Sequence, residues 1–366
     1  MTLLVFILVL SVLILVHEFG HFIAAKKSGV KVEEFGLGLP PRLIGKRVGE
    51  TIYSINALLF GGFVRMAGEE HPQNKLDKSR QFFFQSKKVK AVIISAGVAM
   101  NLLLALVTFS AVYSIAGIPT LDGVKILEVQ ESTPAQTAGI KAEDVVIAVN
   151  NQPVKETPQF SSAIDQNKGQ TVTLTLLRQN QKMEISVTPR TDYPADQGSL
   201  GVVITQNQTI LFPPLWKRPF VGAFYGFKEA LFWGKATLSG LFQLFSDLFG
   251  KGQVPKDLTG PVGIYQITGM VVEGGWLAVI NFIGILSVNL AIVNFIPFPA
   301  LDGGRLLFVV LEKFRGRSFG IKLEQTIHLA GMAFLLLLLL AITVNDVLRL
   351  TGASSVIDLF SRLLPR

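Results

Sequence analysis

Long apolar segments dominate the hydropathy pattern of this chain. Four of them are long enough to cross a bilayer, since a helical span needs about 20 apolar residues. They are predicted at residues 3–25, 90–117, 277–296 and 326–349. Between the second and third spans, apolar and polar positions alternate with period two, as in strands that have one buried face. The pattern predicts a polytopic α-helical membrane protein with about four transmembrane helices and one inserted α+β domain.

The predicted spans divide the chain into four parts. Residues 1–117 form the first part of the membrane domain, and residues 277–366 form its second part. The strand-like segments place the inserted domain at about 121–208. In the connecting segment, 215–276, the part at 215–250 is rich in Phe and Trp but is interrupted by charged side chains. We therefore predict interfacial helices there rather than a fifth span.

A short β-rich region also follows the first span. Two apolar runs flank Gly61 and Gly62, so we predict a β-hairpin at about 52–66 with the glycine pair between its strands. The hairpin is unusually apolar for a solvated loop. Non-helical backbone at membrane depth is tolerated only where protein or a water-filled cavity surrounds it. We therefore expect this hairpin to be associated with the membrane domain.

Basic residues determine the predicted orientation. Lys and Arg are concentrated in 26–90 and 305–322, and such loops stay in the cytoplasm. The N-terminus and the 121–208 domain are then extracytoplasmic. The net charge of +8 is explained by this topology, so no nucleic acid is expected as a partner. The chain lacks Cys, which excludes thiolate ligands and a Cys nucleophile.

Three ionisable residues lie in the first apolar span, where such residues are normally absent. His17, Glu18 and His21 form the pattern H-E-x-x-H. A charged side chain near mid-bilayer costs about 2.5–3.5 kcal/mol on insertion scales. On a helix the two imidazoles face the same way and can share one zinc ion, and Glu18 can take a proton from a water molecule. The alternatives are a polar contact between helices and a proton relay.

A catalytic zinc ion usually has three protein ligands, so a third is needed. The strongest candidate is Asp302, which directly follows the third span. Two prolines before it break the helix, and two glycines after it allow a close approach to a neighbouring element. Asp302 could instead cap the chain after the prolines. His71 is predicted to be solvated, and His328 to be interfacial or packed.

Together these motifs resemble the site-2 protease family of intramembrane zinc metalloproteases, and within it the bacterial regulator-of-sigma-E protease branch. The resemblance rests on five segments in the family's order: HEFGH at 17–21, GGFVRM at 61–66, a PDZ-like stretch, TGPVGI at 259–264 and NFIPFPALDGGR at 294–305. It implies that His17, His21 and Asp302 bind Zn²⁺ and that Glu18 is the general acid and base. One departure is a single PDZ-like domain, where enterobacterial members carry two.

The resemblance also implies substrate-binding residues. Asn289 and Asn294 match asparagines that the family places near the substrate strand. The hairpin, including Gly61, Gly62 and Phe63, would pair with an unwound substrate by strand addition. Asparagines in membrane helices also often join helices to one another, and this alternative remains open.

A possible peptide-binding loop occurs in the inserted domain. Leu200 and Gly201 lie in the sequence Ser-Leu-Gly-Val, which resembles the loop by which PDZ domains receive a C-terminal carboxylate. A simple strand entry is the equal alternative. Such a domain would dock or filter substrates at the outer face of the membrane.

The implied activity is a zinc endopeptidase in the bacterial cytoplasmic membrane, with its active site towards the cytoplasm. Its partners would be the lipid bilayer and single-pass membrane substrates, either an anti-sigma factor or a remnant signal peptide. One alternative is a catalytically idle membrane scaffold that carries a PDZ-like domain. Another is a transporter that uses these residues as a relay, for which inverted-repeat evidence is lacking.

Overall fold

The computed structural model describes residues 1–69, 71–74, 76–194, 197–252, 260–316 and 319–352. The chain forms two compact units, one of Met1–Ile115 with Pro219–Arg366 and one of Ala116–Arg218. The helices are α1 (Thr2–Lys27), α2 (Lys87–Ala116), α3 (Pro134–Thr137), α4 (Thr157–Asp165), α5 (Arg218–Lys251), α6 (Pro261–Glu273), α7 (Trp276–Phe295), α8 (Asp302–Arg315) and α9 (Ile321–Thr351). The strands are β1 (Val32–Val48), β2 (Thr51–Met66), β3 (Ile118–Val129), β4 (Val145–Val149), β5 (Gln152–Pro153), β6 (Val172–Arg178), β7 (Gln181–Val187) and β8 (Val202–Leu211).

Among the described residues, four helices are long and apolar enough to cross a membrane, namely α1, α2, α7 and α9. The predicted polytopic helical architecture is therefore confirmed, and the predicted spans agree with these helices to within a few residues. α2 is the most enclosed, with 44% of its apolar window buried, whereas only 6% of the α9 window is buried. Several leucines of α9, among them Leu336, Leu337 and Leu340, are accordingly exposed, as suits a helix that faces lipid.

The β-hairpin differs from the one predicted at 52–66. β2 continues through Gly61 and Gly62 as one strand, and its partner is the upstream strand β1. Leu37 of β1 pairs with both Gly62 and Ile55, so the first part of β1 lies between the two parts of β2. The tight turn occurs instead at Gly49, whose φ of +61° suits glycine. β1 escapes prediction because its Gly and Pro residues are rare in strands.

The described part of the 215–276 segment contains two helices, the long α5 and the shorter α6. α5 packs closely along α2, because Gly222 and Gly226 have no side chains to hold the helices apart. A Cβ at Gly222 would lie 2.1 Å from Ser114 Oγ, and one at Gly226 would lie 2.7 Å from Ser110 N. Small residues allow such close approach of helices in membrane proteins. An interfacial location for this segment stays a prediction.

The second unit is an antiparallel sheet with two short helices. The strand order is β7-β6-β4-β3-β8, and β5 pairs with β4. The core consists of side chains that alternate along the strands, including Val124, Ile126, Val146 and Leu174, with Phe160 from α4. The unit is longer than the predicted 121–208 domain because the first residues of β3 pair with the last residues of β8.

Candidate metal centre and active site

The two histidines of the first span lie on one buried face of α1. His17 and His21 are 6% and 7% exposed, and their Nε2 atoms are 3.2 Å apart. Residues four apart on a helix are neighbours on its surface, so this proximity follows from the sequence spacing. The imidazoles meet edge to face, with ring centroids 4.8 Å apart. Both Nε2 atoms are therefore directed to the same point.

Asp302 reaches that point from the start of α8. Its Oδ2 lies 2.9 Å from His17 Nε2 and 3.2 Å from His21 Nε2. The loop before α8 folds tightly over the next two glycines. A Cβ at Gly303 would be 2.2 Å from the Ile296 carbonyl oxygen, and one at Gly304 would be 2.2 Å from the Phe298 carbonyl oxygen. Only glycine fits at these positions, which explains the Asp-Gly-Gly sequence.

These three side chains fit a zinc ion. One ligand atom from each of His17, His21 and Asp302 lies within 4.8 Å of the others. Two imidazoles and one carboxylate form a donor set that zinc prefers, and three protein ligands leave a fourth position for water or substrate. Two buried histidines and a partly buried carboxylate that meet without a partner ion would be unusual in an apolar helical bundle.

Helix α2 forms the opposite wall of this cluster, which sequence reasoning missed. The carbonyl of Ile93 accepts a hydrogen bond of 2.8 Å from His21 Nδ1, which directs the other ring nitrogen to the ligand cluster. Asn101 lies 3.3 Å from His17 Nδ1. Gly97 leaves room for both rings, since a Cβ there would be 2.5 Å from His21 Nε2. The available signal was a lone amide, Asn101, inside an apolar span.

Glu18 lies beside the cluster and is held by the β-hairpin. Its Oε2 accepts a hydrogen bond of 3.1 Å from the backbone N–H of Val64. Glu18 also lines a cavity of about 200 Å³ together with His17, Asp302 and Asn294. The carboxylate thus faces the same space as the candidate ligands. A water molecule in this cavity could contact both Glu18 and the cluster.

The two predicted substrate asparagines have different surroundings. Asn294 lines the cavity, and its Nδ2 is 3.5 Å from His17 Nε2. Asn289 faces α5 instead, where its Oδ1 accepts a hydrogen bond of 2.6 Å from Thr237 Oγ1. The structure therefore brings Asn294 to the candidate site and engages Asn289 in a contact between helices.

The glycine-rich part of β2 lies against α1. A Cβ at Gly61 or Gly62 would be 3.7 Å from Ile14 or Leu15 respectively. The Arg65 guanidinium lies 5.7 Å from the centre of the Phe63 ring. Ile14 and Leu15 precede His17 by about one helical turn, so the glycine-rich part of β2 lies close to the ligand cluster and to Glu18. Its predicted role in substrate pairing is not tested by these contacts.

The remaining histidines lie outside the ligand cluster. His328 of α9 accepts a hydrogen bond of 3.2 Å from the backbone N–H of Ala300, and so holds the loop before Asp302. His71 is exposed. Both positions agree with the packed and solvated roles expected from the sequence.

A buried carboxylate supports the base of the hairpin. Glu34 accepts hydrogen bonds from Arg42 Nε at 2.9 Å and from Ser54 Oγ at 2.7 Å. Burial by itself raises the pKa of Glu34, but the Arg42 and Ser54 hydrogen bonds lower it more, so the pKa of this carboxyl lies below its usual range. Glu34 is therefore ionised at neutral pH and binds the two parts of β1 to β2.

In the second unit, the predicted peptide-binding loop is engaged internally. Gly201 has a φ of +73°, and its N–H donates to the Gly198 carbonyl at 3.0 Å. The Leu200 carbonyl accepts from the Ala135 N–H at 3.1 Å. The loop thus packs on the start of α3, and its role in binding a peptide stays a prediction.

A His-His-Asp cluster with an adjacent glutamate, inside a bundle of membrane helices, defines a membrane-embedded metallopeptidase. Comparison with known proteins agrees, because the family description of peptidase family M50 matches residues 5–338. The chain belongs to this family, the site-2 protease type of metalloendopeptidase, so the predicted family and enzyme class are confirmed.

Individual relatives cover nearly the whole chain. A Clostridium acetobutylicum protein is 34% identical over 93% of this chain and 96% of its own length. Zinc metalloprotease RasP of Oceanobacillus iheyensis is 30% identical over 95% of this chain and 99% of its own. Regulator of sigma-W protease RasP of Bacillus subtilis is 28% identical over the same shares. A solved PDZ domain of an SdrC-like protein from Listeria innocua is 29% identical, covering 23% of this chain and 93% of its own, with a TM-score of 0.20.

Proposed function

We propose that His17, His21 and Asp302 bind one zinc ion and that the protein hydrolyses peptide bonds of membrane-embedded substrates. The observation that carries the proposal is the convergence of three potential ligand side chains from α1 and α8, which are 281 and 285 residues apart in sequence and of which both histidines are buried. Zinc supplies Lewis acidity, which polarises a peptide carbonyl and acidifies a water molecule. The names of the RasP relatives support zinc as the metal.

Glu18 is the general base and then the general acid. Its carboxylate faces the cavity shared with the ligand cluster, so it can accept a proton from a water molecule there and pass it to the leaving amine. The Val64 N–H fixes one of its oxygens, which leaves the other free to face the cavity. The position of Glu18 therefore suits its role as general base and acid without any movement of α1.

Asn294 binds the substrate backbone or the developing oxyanion. It lies on the same cavity and carries an amide N–H group, and a positioned donor stabilises the charge that develops on the carbonyl oxygen. The contact between Asn289 and Thr237 favours a structural role for Asn289, in which it joins α7 to α5.

The substrate class is a single-pass membrane protein or a remnant signal peptide. A peptide bond within a helix is shielded, so the substrate must unwind and be held extended. The part of β2 around Gly61, Gly62 and Phe63 lies beside Glu18, and strand addition there would hold such a segment near the ligand cluster. The sigma-W name of the Bacillus subtilis relative supports an anti-sigma factor as one such substrate.

The proposed location is the bacterial cytoplasmic membrane, with the active site towards the cytoplasm. The concentration of Lys and Arg in 26–90 and 305–322 supports this orientation. The second unit would then be extracytoplasmic, where it would dock or exclude substrates according to their outer segments.

The test combines metal content with cleavage of a model transmembrane substrate. Glu18→Gln should keep zinc and lose about 10²–10⁴-fold in cleavage rate, as expected for a missing general base. His17→Ala should lose both zinc and cleavage. His71→Ala is the matched control, because His71 is exposed and outside the cluster, and it should retain both. Zinc-free parent protein, or a Glu18→Gln variant that cleaves like the parent, would contradict the proposal.

A further inference from the structure

Asn101 is the polar side chain that α2 directs towards His17. It is completely buried, and its Nδ2 lies 3.3 Å from His17 Nδ1. Its Oδ1 is also buried and has no hydrogen-bond partner among the residues that the structure describes. The Asn101 backbone carbonyl accepts a hydrogen bond of 2.8 Å from Ser287 Oγ on α7, so this residue is fixed between three membrane helices.

Two hydrogen-bond assignments satisfy the contact between Asn101 and His17. If the His17 proton is on Nε2, the ring donates to Asp302 at 2.9 Å, and Nδ1 accepts from the Asn101 NH₂ group. If the proton is on Nδ1, Nε2 offers its lone pair to the ligand cluster, and Asn101 must present its oxygen. The oxygen and nitrogen of an amide have nearly the same shape, so their assignment follows from the network.

Metal binding selects between these assignments. A histidine that binds a metal through Nε2 carries its proton on Nδ1, and that N–H needs an acceptor. His21 already has one in the Ile93 carbonyl, at 2.8 Å. For His17, a half-turn of the Asn101 amide brings Oδ1 to the place of Nδ2. After this rotation Oδ1 accepts the hydrogen bond from His17, and the NH₂ group takes the place that Oδ1 has now.

We propose that Asn101 is the positioning residue of His17 and holds it in the metal-binding tautomer through its amide oxygen. The proposal rests on the proposed function, since it takes His17 as a metal ligand. His21 is held by the backbone carbonyl of Ile93, which remains in place when the Ile93 side chain is substituted. The orientation of His17 depends on a side chain from another helix. A substitution of Asn101 can therefore remove the orientation of His17 while the imidazole itself remains.

The experiment measures zinc affinity by competition with a chelating dye, on full-length purified protein. Asn101→Leu has a similar size but no acceptor, and its zinc affinity should fall about 10–100-fold, as is typical when the partner of a metal-binding histidine is removed. Asn101→Asp keeps an acceptor and should bind zinc at least as tightly as Asn101 does. Thr108→Val is the matched control, because the Thr108 hydroxyl donates to carbonyls of α2 itself, at 2.9 and 3.0 Å, and not to His17 or His21. Its zinc affinity should equal that of the parent.

A second measurement uses the visible spectrum of the cobalt-substituted protein. The spectrum reports ligand geometry independently of cleavage, and it should change for Asn101→Leu and be restored for Asn101→Asp. Parent-like affinity and spectrum in Asn101→Leu would overturn the inference. If Asn101→Leu fails to fold, a folded Asn101→Asp protein with weakened zinc binding would overturn it equally. A parent protein that binds no zinc would instead refute the proposed function.

Discussion

Gly97 lies on α2 opposite both imidazoles, and one added methyl group there should weaken metal binding without unfolding the protein. In Gly97→Ala, the new Cβ would lie 2.5 Å from His21 Nε2 and 2.7 Å from His17 Cε1. Non-bonded heavy atoms are ordinarily about 3.5–4.0 Å apart. Either the two rings or α2 itself must therefore move by roughly 1 Å.

The size of the effect follows from the tolerance of metal sites. Metal–ligand distances are kept to about 0.2 Å, and disturbing the groups that orient metal-binding histidines typically costs up to about 10²-fold in metal affinity. Zinc affinity should fall by about that factor, which corresponds to about 2.7 kcal/mol. The stability of α2 itself should not decrease, because alanine is favoured over glycine in helices by about 0.8–1.0 kcal/mol.

The assay compares zinc content, zinc affinity and thermal unfolding of Gly97→Ala with those of Gly240→Ala. Gly240 lies within α5, and among the described residues no atom outside the local helix backbone lies within 4 Å of the position of a Cβ, so its substitution should leave zinc binding unchanged. If Gly97→Ala binds zinc as tightly as the parent, the histidine rings do not face α2 as described, and the reasoning is wrong.

Three further predictions concern stability. Glu34→Gln should weaken the hairpin locally by about 1.5–3 kcal/mol at neutral pH, measured by hydrogen exchange of residues 32–48. Because the folded-state pKa of Glu34 is lowered, its contribution is present above the unfolded value of about 4.3 and disappears as the pH falls through the folded pKa; a difference that persists in acid would contradict this. Asp346→Ala should lower the free energy of unfolding by about 0.5–2 kcal/mol, measured by thermal unfolding. The reason is that Asp346 Oδ2 accepts hydrogen bonds from the N–H groups of Gly260 and Gly263 at the start of α6, at 3.0 and 2.9 Å. Unfolding like that of the parent would exclude this capping role. Removing zinc with a chelator should increase hydrogen exchange around the ligands but not in Ala116–Arg218, since a ligand stabilises the unit that binds it; equal changes in both units would refute a zinc site confined to the first unit.

The sequence was informative where a physical rule has few exceptions. Ionisable groups in an apolar span are rare, so His17, Glu18 and His21 stood out immediately. The prolines and glycines around Asp302 indicated a tight loop, and the structure has one. The four membrane spans followed from length and hydropathy alone.

The rest depends on contacts between elements that are distant in sequence. The Ile93 carbonyl cannot be recognised from the sequence because every residue has one. The need for glycine at position 97 becomes visible only in the folded structure, where His17 and His21 lie opposite it. The pairing predicted within the hairpin was wrong for a related reason. The alternation in β2 correctly indicated a strand, but its partner β1 lies upstream, where Gly and Pro obscure the pattern.

The hydrogen bond between Glu18 and Val64 gives the hairpin a second significance. Val64 belongs to the part of β2 that would receive an extended substrate, and its N–H is already engaged by the Glu18 carboxylate at 3.1 Å. A peptide that pairs with this edge of the strand competes with Glu18 for the same donor. Substrate docking would then exchange the hydrogen-bond partner of one Glu18 oxygen, while the other oxygen faces the cavity both before and after a peptide is in place.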